Sequence, residues 1–147
     1  MRALVQRVSE ASVEVEDKIR GRIGRGILVF LGIHENDTEA HADYLASKVI
    51  QLRIFPDKEG KMNLNLRDIS GELLVVSQFT LYGETRKGNR PSYSKAARPE
   101  VAVLLYDYFV KVCREKGISV STGVFQADMR VRLINEGPVT LFCYSEN

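Results

Sequence analysis

The sequence predicts an α/β fold: a mostly antiparallel, barrel-like β-sheet with two βα crossovers and two main helices packed on it. The first third of the chain alternates apolar and polar residues with period two, as half-buried strands do. Two later segments place apolar residues at helical spacing, and each lies between strand-like segments. Because a helix between two strands usually connects parallel neighbours, two crossovers follow.

The first strands lie within residues 2–33. The segments RALVQRV and ASVEVE alternate with period two, and the sequence Glu16-Asp17-Lys18 after them suits a tight turn. The run GRIGRGILVFLGI continues as β structure punctuated by glycine. The N-terminal third is therefore expected to be rich in β structure.

The first helix is predicted in NDTEAHADYLASKVIQL. Asn36 is followed three residues later by Glu39, a spacing typical of a capping box at a helix start. Leu45, Val49 and Leu52 fall on one helical face. That face is expected to pack on the sheet.

The second half begins with a short strand, RIFP, and a polar loop, DKEGKMNLNLRD. The apolar run in GELLVVSQFTL predicts a strand buried on both faces. Pro99 is expected to begin the second helix and Gly117 to end it. The segments ISVSTGVF, ADMRVRLIN and VTLFCYS return to β structure, and Gly137-Pro138 between the last two is expected to interrupt the sheet as a turn.

Composition limits the class of protein. A chain of 147 residues with 44% hydrophobic and 27% charged residues suits one soluble globular domain, expected over residues 1–147. No run approaches the roughly 18 apolar residues of a membrane span, and the charged, alternating N-terminus does not suit a signal peptide. A cytoplasmic protein is expected.

Cysteine and histidine suggest no metal chemistry. Cys113 and Cys143 are the only cysteines, and isolated cysteines in apolar surroundings are usually small buried hydrophobes. His34 and His41 lack a nearby carboxylate pattern and are expected to be exposed. We therefore predict no metal and no cofactor.

Positive charge is concentrated in one segment. The net charge is only +2, which argues against strong non-specific nucleic-acid binding. A basic loop, residues 84–98, holds five basic residues against one acid and suits phosphate groups, although a solvated loop is an equal alternative on charge alone. Its basic residues are Arg86, Lys87, Arg90, Lys95 and Arg98. Arg130 and Arg132 on one strand face are a second candidate.

The candidate site is the polar end of a buried strand, Ser77 to Thr80. Ligands of α/β sheets bind outside the carboxyl ends of strands, although these polar groups could equally satisfy one another. The sequence contains no Ser-His-Asp order, nucleophile elbow, phosphate-binding loop or paired carboxylates. A threonine nucleophile needs an adjacent base, and none is near Thr80 in sequence, so a positioning role ranks first.

Four segments together resemble one known family. They are the opening MRALVQRVSEASVEVE, SQFTLYG at 77–83, NRPSYSKAA at 89–97 and TGVFQADMRVRLINEGPVT at 122–140. Their order and spacing are similar to those of the D-aminoacyl-tRNA deacylase family, also called D-tyrosyl-tRNA deacylase, essentially end to end. Two departures are Gln126, where many members have a small residue, and Glu136, where aspartate is common.

The resemblance implies an enzyme that works as a homodimer and cleaves the ester between a D-amino acid and the terminal adenosine of tRNA. It implies that Gly137-Pro138 is a cis dipeptide that enters the partner subunit's pocket and rejects L-aminoacyl groups, while glycyl-tRNA is not excluded. Ser77 and Gln78 are then substrate-binding residues. Phe79 and Thr80 are proposed as backbone oxyanion donors, with a Thr80 hydroxyl nucleophile as the alternative.

Two other functions compete with the chiral deacylase. One is a non-catalytic RNA- or DNA-binding module that uses the basic loop, residues 84–98, and the lack of a conventional catalytic group favours it. The other is a general esterase, which would also hydrolyse L-aminoacyl and simple esters. The full-length set of motifs favours the deacylase over both.

Overall fold

The computed structural model describes residues 1–145, so the last two residues of the predicted domain lie outside the described residues. The strands are β1 (Arg2–Val15), β2 (Lys18–Ile23), β3 (Gly26–Gly32), β4 (Phe55–Pro56), β5 (Met62–Leu64), β6 (Glu72–Ser77), β7 (Ser119–Thr122) and β8 (Arg130–Tyr144). The helices are α1 (Glu39–Gln51) and α2 (Pro99–Glu115), and a 3-10 turn spans Phe79–Tyr82. Neither helix of the described chain has the length and apolar character to span a membrane.

The main sheet has six strands in the order β2-β1-β3-β6-β7, with β8 on the other edge of β1. The pairs β3–β6 and β6–β7 are parallel, and α1 and α2 connect them. The pairs of β1 with β2, β3 and β8 are antiparallel. The predicted α/β fold with two crossovers is confirmed.

The sheet curls until its two ends approach each other. The Ser121 hydroxyl on β7 donates a hydrogen bond to the Arg22 carbonyl on β2 across 3.1 Å. Gly21 permits this approach, because a Cβ there would lie 2.4 Å from the Thr122 carbonyl oxygen. The sheet is therefore nearly closed, and its concave side encloses an apolar cluster that includes Val13 and Leu74.

The helices cover the convex side of the sheet and form the larger core. Leu45 and Val49 of α1 are fully buried as predicted, while Leu52 is half-buried at the helix end. Phe109 of α2 is also fully buried. At about 25 cal/mol per Å² of apolar surface removed from water, this burial is the main source of stability.

The start of α1 differs from the prediction. Thr38, not Asn36, is the N-cap residue. The Thr38 backbone N–H donates to Nδ1 of His41 across 3.0 Å, so His41 caps the helix in place of the expected glutamate. Asn36 lies outside the helix, and its backbone N–H donates to His34 Nδ1. Both histidines thus have local structural roles, and both are half-buried rather than exposed as predicted.

Helix α2 has the predicted limits. Pro99 occupies its first turn, and Gly117 follows its end with a φ of +82°, a conformation that favours glycine. Cys113 on the inner face is buried, and burial raises the pKa of its thiol to about 12. The expectation of a small buried hydrophobe is confirmed for Cys113 and for Cys143.

Two element boundaries were predicted wrongly. The strand expected over GELLVVSQFTL ends at Ser77, because Gln78 turns the backbone into the 3-10 turn. The loop expected over DKEGKMNLNLRD contains β5, which pairs with β4. In both cases contacts outside the local pattern decided the conformation.

The Gly137-Pro138 dipeptide lies in a bulge within β8, not in a turn between two strands. Both halves of β8 pair with β1, where Gln6 faces Thr140 and Val8 faces Asn135. Residues 136–139 therefore stand opposite Arg7 alone, so the sheet continues on both sides of the proline.

The predicted cis bond is wrong for this structure, because no peptide bond among the described residues is cis. The trans form is intrinsically favoured by about 0.5–1 kcal/mol before proline, so other contacts must oppose it to give cis. Gly137 and Pro138 are exposed, which leaves few such contacts within the chain. Gly137 instead leaves the ladder through a φ of +107°.

Candidate active site

A cavity of about 660 Å³ lies outside the carboxyl ends of β3 and β6, the position predicted from the sequence. Its walls combine apolar side chains with a few polar ones. The lining residues are Leu31, Ile33, Val76, Ser77, Gln78, Phe79, Tyr93, Ala96, Ala97, Arg98, Pro99, Ala102, Phe125, Gln126, Ala127, Asp128, Met129 and Val131.

The structure brings three of the four predicted strand-end residues to this cavity. Ser77, Gln78 and Phe79 line it, and Thr80 lies just beyond them in the 3-10 turn. The Gln78 side-chain amide donates a hydrogen bond to the Thr80 hydroxyl. Thr80 is thus tied to the cavity's edge through Gln78.

Two backbone N–H groups of the 3-10 turn are available to a ligand. The Gln78 N–H donates to the Leu31 carbonyl at 2.8 Å, and the Leu81 N–H donates to the Gln78 carbonyl at 3.3 Å. By contrast, the N–H groups of Phe79 and Thr80 have no hydrogen-bond acceptor within residues 1–145. The first N–H groups of a helical turn lack internal acceptors, so such donors can bind a substrate oxygen.

The charged residues that line the cavity are Arg98, at the N-cap of α2, and Asp128, just before β8. Neither histidine nor cysteine is among the lining residues. In the part of the chain that the structure describes, no group of three or more His, Cys, Asp or Glu is arranged to hold a metal ion. The groups that could act on a ligand are therefore these two charged side chains, the polar side chains of the lining and the two backbone donors at its edge.

Tyr106 supports the strand that carries Ser77, and sequence reasoning missed this role. Its hydroxyl donates to the Val75 carbonyl on β6 across 2.7 Å, where β7 is ending. Burial raises the pKa of this phenol far above its usual value, so it stays protonated as a donor. A tyrosine on the apolar face of α2 was the only sequence signal, because buried tyrosine hydroxyls usually find a partner.

Arg7 fixes the bulge that contains Gly137. Its guanidinium donates from Nη1 to the Ile54 carbonyl at 2.6 Å and from Nε to the Glu136 carbonyl at 3.3 Å. A Cβ on Gly137 would lie 2.5 Å from Nη2 of Arg7, so a side chain there would require this guanidinium to shift, and the φ of +107° also favours glycine. Gly137 and Pro138 do not line the cavity of their own chain.

The basic loop is exposed and closed at its base by two hydrogen bonds between Glu84 and Ser92, of 2.8 and 3.0 Å. The Arg86 guanidinium pairs with the Glu84 carboxylate, and a hydrogen bond from the Arg86 backbone N–H lowers the pKa of that carboxyl. Lys87 and Arg90 form no ion pair among residues 1–145. Lys95 and Arg98 likewise form no ion pair among these residues, so four exposed cations of the loop are available to phosphate.

The second predicted cationic pair is less available. Arg130 contacts the carboxylates of Glu14 at 3.3 Å and Asp17 at 3.4 Å. Arg132 on the same strand is exposed. Since Arg130 is already paired, the basic loop is the better candidate for phosphate binding.

Residues 4–144 match the family model described as D-Tyr-tRNA(Tyr) deacylase. The chain belongs to this family. Among deacylase relatives, a D-aminoacyl-tRNA deacylase of Thermotoga petrophila is 58% identical over 141 residues, covering 96% of this chain and 95% of the relative. One of Bacillus velezensis is 56% identical over 146 residues, covering 99% of each.

Two solved structures share the deacylase fold. The structure named c-Myc DNA Unwinding Element Binding Protein has a TM-score of 0.94 and 38% identity, and covers all of both chains. A probable eukaryotic D-amino acid tRNA deacylase has a TM-score of 0.83 and 21% identity over 97% of each chain, which shows the common fold. The predicted membership of the deacylase family, and with it an enzyme of this hydrolase class, is confirmed.

Proposed function

We propose that this deacylase hydrolyses the ester bond of D-aminoacyl-tRNA and of mischarged glycyl-tRNA, releasing free tRNA and the amino acid, and rejects L-aminoacyl-tRNA. One observation carries the proposal. In a chain of the deacylase family, the backbone N–H groups of Phe79 and Thr80 lie at the edge of the cavity and have no hydrogen-bond acceptor among the described residues. A cytoplasmic location is part of the proposal, because aminoacyl-tRNA is used there.

The direct test is the release of amino acid from three charged tRNAs. We expect the protein to release D-tyrosine and glycine from tRNA much faster than buffer does, and L-tyrosine at the rate of buffer alone. Equal release of D- and L-tyrosine would instead support a general esterase. Binding of tRNA with no release of D-tyrosine would support the RNA-binding module.

The first step in the proposed mechanism is polarisation of the ester carbonyl. The carbonyl oxygen accepts hydrogen bonds from the N–H groups of Phe79 and Thr80, and these bonds strengthen as negative charge develops on that oxygen. Removal of one such donor costs about 2.7–4 kcal/mol in known enzymes. The 3-10 turn holds both donors in place before the substrate arrives, so no reorganisation is needed.

Water then adds to the carbonyl carbon, and the bond from that carbon to the ribose oxygen breaks. The proton lost by water reaches the departing ribose oxygen, and the products are a carboxylic acid and the free hydroxyl of the terminal adenosine. We propose that the neighbouring ribose hydroxyl relays this proton, since it lies beside the ester. This substrate group explains how a cavity lined by neither histidine nor cysteine can support hydrolysis.

Replacing Thr80 with alanine is expected to leave kcat for D-tyrosyl-tRNA within about fivefold of wild type, because the variant keeps both backbone donors. The Thr80 hydroxyl accepts a hydrogen bond from the Gln78 amide, which cannot remove its proton. Single-turnover hydrolysis measures the effect. A loss above a hundredfold that Thr80→Ser restores would establish the hydroxyl as the nucleophile.

Chirality is proposed to be read by backbone supplied from a second subunit. D- and L-aminoacyl groups differ in the positions of the hydrogen and the side chain at the α-carbon. A rigid obstacle on one side of that carbon therefore distinguishes between them. Gly137 and Pro138 do not line their own chain's cavity, so they could act only in a partner's. A cis bond would direct the two neighbouring carbonyl groups to the same side. Because the bond between Gly137 and Pro138 is trans, we propose instead that the obstacle is the bulge that Arg7 holds. Glycyl-tRNA would not be rejected, because glycine has no side chain to meet the obstacle.

A homodimer through β8 would bring the bulge to a partner. The outer edge of β8 pairs with no other strand among the described residues, and a long unpaired edge is a natural site for association. Several large apolar side chains are also exposed along this strand. They are Ile134, Leu141, Phe142 and Tyr144.

Replacing Phe142 with aspartate is expected to convert a dimer into monomers, because it places a charge within that apolar strand face. Light scattering at micromolar concentration measures the mass. The matched control is Leu104→Asp on α2, which is 68% exposed but lies outside β8 and is expected to remain dimeric. A monomeric wild type, or a control that alone dissociates, would contradict the proposed interface.

Phosphates of the tRNA acceptor end are proposed to contact the basic loop. Lys87, Arg90, Lys95 and Arg98 are exposed and form no ion pair among residues 1–145, and Arg86, which pairs with Glu84, extends the same surface. Charge-assisted contacts of this kind position nucleic acid without reading its sequence. This matches an enzyme that must accept many tRNAs.

A further inference from the structure

We propose that the side chains of Phe79 and Tyr93 form an aromatic wall that stacks on the terminal adenine of the tRNA. This inference rests on the proposed function, because it takes the terminal adenosine ester as the substrate. The role is separate from that of the Phe79 backbone: the side chains bind the base, whereas the N–H group binds the ester. Tyr93 is therefore a specificity-determining residue for the nucleotide part of the substrate.

Both rings are placed where a ligand can reach them. Phe79 is 56% exposed and Tyr93 is 38% exposed, and both line the cavity. Their ring centroids lie 5.1 Å apart with an interplanar angle of 75°, an edge-to-face pair. Such a pair leaves the face of one ring free to stack with a further flat ring.

The position of Tyr93 is built into the backbone. Its ring lies over Gly83, where a Cβ would approach the Tyr93 Cε1 atom to 3.0 Å. The preceding residue, Ser92, is held to Glu84 by two backbone hydrogen bonds of 2.8 and 3.0 Å. Phe79 begins the 3-10 turn that ends immediately before Gly83. The two rings are thus held by adjoining parts of one structure.

The wall lies between the two ends of the proposed substrate contact. The ester carbonyl is assigned to the Phe79 and Thr80 N–H groups, and the phosphates to the basic loop that Glu84 and Ser92 close. The terminal nucleotide must span this interval, because its ribose carries the ester and its phosphate leads to the rest of the tRNA. Stacking on an aromatic ring is the common way in which proteins hold an unpaired base.

The test measures binding of a trinucleotide, CCA, in which the terminal adenine is replaced by fluorescent 2-aminopurine. We expect quenching on binding to the wild type and to Tyr93→Phe, since both have a ring. Tyr93→Leu is expected to raise Kd about 5- to 150-fold and to abolish most of the quenching, since stacking of one base on an aromatic ring contributes that range. The matched control is Tyr44→Leu on α1, a tyrosine that is 52% exposed and distant in sequence, with no expected change.

A second probe, CC ending in an abasic ribose, separates base stacking from a general structural effect. Its Kd is expected to be the same for the wild type and Tyr93→Leu. An equal loss on both probes, an unchanged Kd for the 2-aminopurine probe, or a change of oligomeric mass in Tyr93→Leu would overturn the inference. These readouts need no catalysis, so failure to hydrolyse D-tyrosyl-tRNA would count against the proposed function alone.

Discussion

Replacing Phe79 with proline lowers kcat for D-tyrosyl-tRNA by about 10²–10³-fold, the expected effect of losing one oxyanion donor. Proline lacks the backbone N–H and is tolerated at the first position of a helical turn, so the 3-10 turn is expected to persist. Single-turnover hydrolysis measures the rate. Circular dichroism and thermal unfolding of the same variant check that the fold is retained.

The control for this experiment is Phe79→Ala, which removes the ring but keeps the N–H group. We expect its kcat to remain within about tenfold of wild type, because its main loss is base stacking. If Phe79→Pro and Phe79→Ala lose the same activity, the Phe79 N–H is not a catalytic donor. The comparison therefore separates the backbone from the side chain at one position.

Replacing Gly137 with alanine is expected to lower the ratio of D- to L-tyrosyl-tRNA hydrolysis by at least about tenfold. A displacement of about 1 Å at a site can change the reaction rate by about 10²-fold. The added Cβ would lie 2.5 Å from Arg7 Nη2, in a backbone with a φ of +107°. Either Arg7 or the bulge must move. The kcat/KM values for the two charged tRNAs measure the ratio.

Gly60→Ala is the matched control, because Gly60 also has a positive φ, +78°, but a Cβ there meets nothing within 4 Å. It introduces similar backbone strain, on the order of 1–2 kcal/mol, away from the cavity. Its D-to-L ratio is expected to equal that of wild type. An unchanged ratio in Gly137→Ala would remove the bulge from chiral discrimination.

In the proposed mechanism, backbone donors stabilise the developing charge, and the substrate's ribose hydroxyl rather than a protein side chain transfers the proton. Its two N–H donors lie at the end of a strand that Tyr106 holds by a buried hydrogen bond and that Gln78 ties to β3. Backbone donors are rigid, and they are indifferent to the identity of the amino acid bound. That suits the proposed specificity, in which many D-amino acids are accepted and L-amino acids are excluded.

Several elements could be predicted from the sequence because their causes are local. Helix α2 begins at Pro99 and is followed by Gly117, since proline fits a first turn and glycine adopts the positive φ that ends a helix. The polar residues that follow a buried apolar run placed the segment from Ser77 onward beside a ligand cavity, although the strand stops earlier than predicted. Period and composition within one segment were sufficient there.

Features that depend on distant partners could not be predicted. The Gly137-Pro138 bulge exists because β8 pairs with β1, more than a hundred residues earlier in the chain. The local pattern around Arg7 also gave no sign that its guanidinium donates to the carbonyls of Ile54 and Glu136.

The sequence by itself determined the fold class, both helices, the family and the position of the cavity beside Ser77, but not where the strand before it stops. Only the tertiary structure decided which backbone N–H groups lack acceptors, as at Phe79 and Thr80, and how Arg7 supports the bulge. The physical reason is that periodicity and turn preference act between neighbours in sequence. Hydrogen-bond partners and strand register, in contrast, are set by residues that meet only after the chain has folded.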